Sequence, residues 1–135
     1  MGLSKSDGNL DHLGLRELAR GFFEWKSFGV RESIPLQGNS GAYEFDFLLS
    51  QRGEQVSESL ADLGVLVKDW ARTCGVNVIL QFEHIMKDVS PAVHQGMLIA
   101  NQFSSSARAL AEKAGLLLLS RGELVSIYRT NQIEP

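Results

Sequence analysis

Cysteine is almost absent from this chain of 135 residues, and the one present, Cys74, excludes an internal disulfide framework and any multi-cysteine zinc site. A lone thiol fits a reducing, cytoplasmic setting. Long hydrophobic runs are missing too. Those present, such as Leu116 to Leu119, fall far short of a bilayer span, and the polar opening from Met1 to Asp11 does not read as a secretory signal. Neither sign of charge dominates. A net charge of −3 counts against a strongly basic nucleic-acid coat and leaves room only for a local basic groove. His12, His84 and His94 have no metal-ligand spacing. Without a GxGxxG or Walker sequence, a nucleotide-binding reading lacks its phosphate loop. No linker, internal repeat or low-complexity segment divides the chain.

What is there is the balance of an ordinary globular domain, 44% hydrophobic and 21% charged, in a length that suits one core. After a loose lead-in over residues 1–12, Asp11 reads as the N-cap of a helix from Leu13 to Phe28. Leu15, Leu18, Ala19, Phe22 and the alkyl stem of Lys26 form its apolar stripe, and Gly29 ends it. Glu17, Arg20 and Glu24 form a polar stripe, whose ordinary role is solvation. An edge strand from Val30 to Leu36, a strand around Asp46, a polar turn from Ser50 to Asp62 and a strand reaching Lys68 follow.

A helical pattern restarts at Gly75, with Val78, Ile79, Phe82, Ile85, Met86 and Val89 on one face. Asn77, Gln81, His84 and Asp88 take the other, and Pro91 stops it. Gly96 to Ala100 reads as a strand. Ser104 or Ser105 caps a helix that buries Ala107, Leu110, Ala111 and Ala114, and Gly115 terminates it. Leu116 to Leu119 returns as a strand, Gly122 to Tyr128 is a final short helix, and a tail over residues 129–135 frays from Thr130. Two strands joined by one capped helix suit a parallel crossover. The fold class is therefore α/β, a single domain with a central mixed sheet flanked by helices, its body spanning residues 13–128.

The chain is organised around Gly38 to Trp70, where two short apolar runs carry an acid, Asp46, and a lysine, Lys68. Charges this close to a sheet must pair with each other or bind something. A structural Asp46–Lys68 ion pair is the plain reading, with both side chains at one end of adjacent antiparallel strands.

Three segments also resemble the restriction-endonuclease-like, or PD-(D/E)xK, nuclease superfamily, in its Mrr-like and archaeal junction-resolvase-like branch. They are the opening helix with its glutamate, the strands Gly41-Ala-Tyr-Glu-Phe-Asp46 and Val65-Leu-Val-Lys68-Asp-Trp, and the stretch from Gly96 through Leu116 to Gly122-Glu-Leu. The resemblance implies a divalent metal, Mg²⁺, held by strand carboxylates for phosphodiester hydrolysis of DNA. On that likeness Asp46 matches the first metal ligand, Lys68 the lysine that helps activate water, and Glu17 the acid on the first helix. Position 66, where Glu, Asp or Gln is expected, holds Leu66, which offers a cation no oxygen. In some members the missing acid sits on the following helix, and Glu83 is the candidate for that second metal ligand; its plain reading is a solvated helix residue. Asp69 points away from Lys68 along an extended strand and is a poorer substitute.

Arg72, Gln95 and Arg108 are candidate DNA contacts, although a lone surface arginine is ordinarily only solvated. Three functions follow in order of preference. The first is a DNA-binding nuclease-fold domain with a degenerate site. Next come an active Mg²⁺-dependent endonuclease using Asp46, Lys68 and Glu83, and a protein-interaction domain. Pairing as a homodimer is expected for family members that cut duplexes.

Overall fold

The computed structural model describes residue 10, residues 12–51 and residues 61–134, and in them the apolar periodicity resolves into two cores, one on each face of a five-stranded sheet. In order come helix α1 (Leu15–Trp25), strands β1 (Gly29–Gln37), β2 (Ala42–Ser50) and β3 (Ala61–Lys68), helix α2 (Val76–Val89), strand β4 (Val93–Ala100), helix α3 (Ser105–Ala114), strand β5 (Leu117–Ser120) and helix α4 (Arg121–Asn131). Across the sheet the strands keep their sequence order. The first three are antiparallel neighbours, and β3, β4 and β5 run parallel, with α2 and α3 as the crossovers. The expected mixed α/β sheet is present.

Side-chain alternation assigns the faces. Leu15, Leu18, Ala19 and Phe23 of α1, with Leu124 and Tyr128 of α4, pack on Phe47, Leu49, Val65 and Ile99. Ile79, Phe82 and Val89 of α2, with Ala107 and Ala111 of α3, pack on the other face, against Phe45, Leu48, Leu66 and Leu98. Gly64 is shaped by this second core. A Cβ there would stand 2.7 Å from the Phe45 ring, so only glycine lets that ring lie on β3.

Local signals place some boundaries well and others poorly. Ser104 caps α3 through the Ala107 amide, and Gly115 ends it at φ 75, a left-handed geometry that favours glycine. Helix α2 keeps the expected ends. Helix α1 is shorter than expected: its N-cap is Gly14, it stops at Trp25, and Ser27 at φ 65 turns the chain so that Gly29 opens β1. Asp11 and most of the Ser50–Asp62 turn lie outside the described residues. Phe23 rather than Lys26 continues the buried stripe, because an i+4 step from Ala19 reaches the sheet centre. At the other end α4 runs past Tyr128 to Asn131, and Ile133 is buried in the core instead of fraying.

One break in alternation matters for function. Val30 packs with Phe47 and Leu49 on the α1 face, whereas Ile34, Leu36, Tyr43 and Phe45 pack on the α2 face. Residues of one parity thus change face between Glu32 and Ile34, and again between Phe47 and Phe45. The ladder skips the intervening pair, Ser33 and Asp46, and Ser33 sits at φ 53. Beyond that point β2 no longer pairs with β3, whose ladder to it covers only Phe47–Leu49. Asp46 therefore stands where two strands fork.

Candidate functional site

The fork fixes what surrounds Asp46. Where β2 turns away, the Asp46 carboxylate replaces the missing ladder partner and accepts the Val67 amide through Oδ2 at 2.7 Å. Its other oxygen accepts from Nη1 of Arg16, in the first turn of α1. The Arg16 guanidinium also reaches the Asp46 carbonyl at 3.1 Å and the Ser33 hydroxyl at 3.0 Å, and it lies over the Phe47 ring. Glu32 stands 3.4 Å from it but is held chiefly by Arg20, whose hydrogen bonds keep the Glu32 carboxyl below the usual range. The ion pair at the fork is therefore Arg16–Asp46, and the plain expectation of an Asp46–Lys68 pair is corrected. The sequence does not single out Arg16, since nothing local relates it to an acid 30 positions away.

Lys68 lies across the fork, at the end of β3, on the α2 face. It borders a small cleft with Leu66, Val78, Gln81, Phe82, Ile85 and Leu98. Its ammonium sits 5.3 Å from the centre of the Trp70 ring, and Arg72 stands over the same ring at 4.1 Å. The α2 polar residue beside Lys68 is thus Gln81. Glu83, two residues on, is rotated by about 200° around the helix. It lines a separate cavity of about 320 Å³ with Met86, His94, Gln95 and Leu116, and pairs with Lys87 at 3.7 Å.

A divalent ion needs several oxygens here, and the residues do not fit one. Asp46 has both oxygens engaged, Leu66 has none, and Gln81 is neutral. Among the described residues, no three His, Cys, Asp or Glu side chains gather closely enough to hold a metal.

The remaining sequence candidates are spread over the molecule. Glu17 supplies the acidic half of a cap on α1, accepting the Gly14 amide at 2.9 Å. Beside it Asp69 accepts the Leu15 amide at 3.2 Å and the Asn101 side chain at 2.9 Å. The Asn101 bond, then the Leu15 amide and Arg121, lower the Asp69 carboxyl. Asn101 also holds the Trp70 carbonyl at 2.8 Å and receives Arg121 at 2.7 Å, so one amide sets the loop after β3. Arg72 is brought to Lys68. Arg108 is not: it pairs with Glu123 at 3.4 Å. Gln95 bonds the Gly115 carbonyl at 3.1 Å. Its strand position pairs with Leu63, five residues, or about 16 Å, before the pair of Lys68 and Ala100.

With the geometry described, the comparisons decide the family. The restriction endonuclease family Mrr_cat matches residues 8–128. The chain belongs to that family. Among solved structures it resembles a protein of unknown function, AF1548, at a TM-score of 0.65 and 18% identity over 84% of this chain. It also resembles a repair endonuclease from Pyrococcus abyssi, at 0.52 and 17% over 89%, and EndoMS in a complex with dsDNA, at 0.52 and 18% over 90%. Identities this low establish the restriction-endonuclease-like fold alone. The domain spans 64%, 48% and 47% of those three chains. No curated protein sequence matches it significantly. No helix of the described residues is long and apolar enough to cross a membrane.

Proposed function

We propose that this chain is a DNA-binding domain on a restriction-endonuclease fold whose phosphodiester-cleaving centre is degenerate. The observation that carries the reading is that Arg16 and the Val67 amide occupy Asp46 while position 66 holds a leucine. Hydrolysis needs charge neutralised on the phosphate and a water held in line. Lys68 can face phosphate charge but cannot alone hold the water in line, because Asp46 is spent on Arg16 and on the Val67 amide. Recruitment of Glu83 is disfavoured by its place on the far side of α2.

Charge at the C-terminal ends of the parallel strands supports DNA as the ligand. Helices α2 and α3 both begin there, with no acid in either first turn, and Gly75 leaves α2 without a side-chain cap. By contrast α1 and α4 carry Glu17 and Glu123 in that turn. Amide groups and dipoles at such helix starts favour phosphate, as do Lys68 and Arg72 beside them. The dsDNA complex of EndoMS makes duplex DNA the first ligand to try.

Binding and cleavage of labelled duplex and branched DNA, with Mg²⁺ or Mn²⁺ and with chelator, test the proposal. Binding that tightens at low salt, with no metal-dependent product, is the expected result. Metal-dependent cutting that Asp46→Ala abolishes would overturn the degenerate centre.

A further inference from the structure

Lys68 and Arg72 differ from the cations around them. Arg16, Arg20, Lys87, Arg108 and Arg121 each face a carboxylate within ion-pair distance. Among the described residues, Lys68 and Arg72 face none; both are instead gathered on the Trp70 ring. The alternation of the segment explains the sorting. Asp69 points toward α1 and Asn101, while Lys68 and Trp70 on either side share the opposite direction. The one acid in the run is thereby turned away, hydrogen-bonded by Asn101 and the Leu15 amide and paired with Arg121. Trp70 itself is held by its carbonyl on Asn101.

Two like charges collected at one ring without a counter-ion repel each other, and an anionic ligand relieves that repulsion. With cations over the ring, it is poorly placed to stack on a nucleobase. Resting on the DNA-binding reading above, we propose that Lys68, Trp70 and Arg72 form a clamp for two neighbouring backbone phosphates, in which Trp70 is a positioning residue. Both charges lie within 5.3 Å of one ring centre, which keeps them together on one stretch of a strand. The clamp reads the backbone and is blind to sequence.

The test is the salt dependence of binding to a short labelled duplex, with thermal melts confirming that each variant is folded. For the wild type, log K falls linearly with log salt. In Lys68→Gln/Arg72→Gln the slope becomes shallower by about 1.8, or about 0.9 for each phosphate no longer neutralised. Trp70→Leu, which keeps both cations, becomes shallower too, and Trp70→Phe, which keeps a ring, stays near the wild type. A merely structural tryptophan would change affinity without moving the slope. A wild-type slope in Trp70→Leu or in the double variant overturns the clamp, as does a sequence preference that Trp70→Leu removes. Absence of wild-type binding at low salt is a different failure, because it removes the DNA-binding reading itself.

Discussion

Arg16 is the residue on which the state of the fork turns. It is about one-third exposed, and its contacts to Asp46 and Ser33 join α1 to both strands of the hairpin. Arg16→Met should cost about 1–2 kcal/mol in denaturant unfolding, since it removes a charge-assisted bond to a partly buried acid. Adding Asp46→Asn should recover part of that cost, and a double-mutant cycle measures the coupling. Leu66→Glu alone should gain no thermal stability from Mg²⁺ or Mn²⁺, because Arg16 still occupies Asp46; a metal-dependent rise in its melting temperature would refute that. At this scale the sequence is half legible. Asp46 and Lys68 stand out as charges in apolar runs, but their partners depend on helix phase and on contacts across the sheet. The same dependence on phase brings Gln81, not Glu83, beside Lys68.

Elements are easiest to read where their signals are local. Ser104 and Gly115 bracket α3 within a dozen positions, and the Ser120–Glu123 capping box starts α4. Ser120→Ala should destabilise the domain by about 1 kcal/mol in thermal unfolding, with far-UV dichroism reporting shortened helix. The ends of α1 are not legible, because Gly14 has no capping side chain and its amide is held by Glu17 three residues on. The β1–β2 hairpin is held at its turn by Asp88 of α2, which accepts from the Tyr43 hydroxyl at 2.7 Å and the Ser40 amide at 3.0 Å. Those bonds, Tyr43 first, lower the Asp88 carboxyl below its ordinary 3.8. A lowered folded value means the anchoring is present above pH 3.8 and disappears as pH falls through that lower value. The protection of the Ser40 amide, measured against its intrinsic exchange rate, should therefore fall in acid, and Asp88→Asn should remove that pH dependence.

The described residues from 15 to 131 form a sheet with a helix pair on either face, closed by Tyr128 of α4, whose hydroxyl donates to the Leu18 carbonyl of α1 at 2.7 Å. Burial, then the nearby Glu24, pushes the Tyr128 phenol up to about 12 from 10.0. The folded form resists ionisation, so the stability it contributes is complete below pH 10.0 and disappears as pH rises towards about 12. Alkaline unfolding should coincide with phenolate absorbance from Tyr128, and Tyr128→Phe should shift that transition upward in pH. The two-faced core is legible as period-two strands and amphipathic helices, whereas the change of face at Ser33 and Asp46 is not, since the sequence alternates straight through it.

If the centre is degenerate as proposed, the Arg16–Asp46 contact would act as an evolutionary ratchet. A lineage regaining cleavage would need an acid at position 66 and the removal of Arg16 together. An acid first would place a desolvated carboxylate against Leu98 and Phe82 with only Lys68 beside it, and removal of the arginine first would leave Asp46 without its counter-ion. On that reading each single step costs stability before any catalytic benefit exists, so such a domain would diversify in what it binds more readily than it would recover the ability to cut.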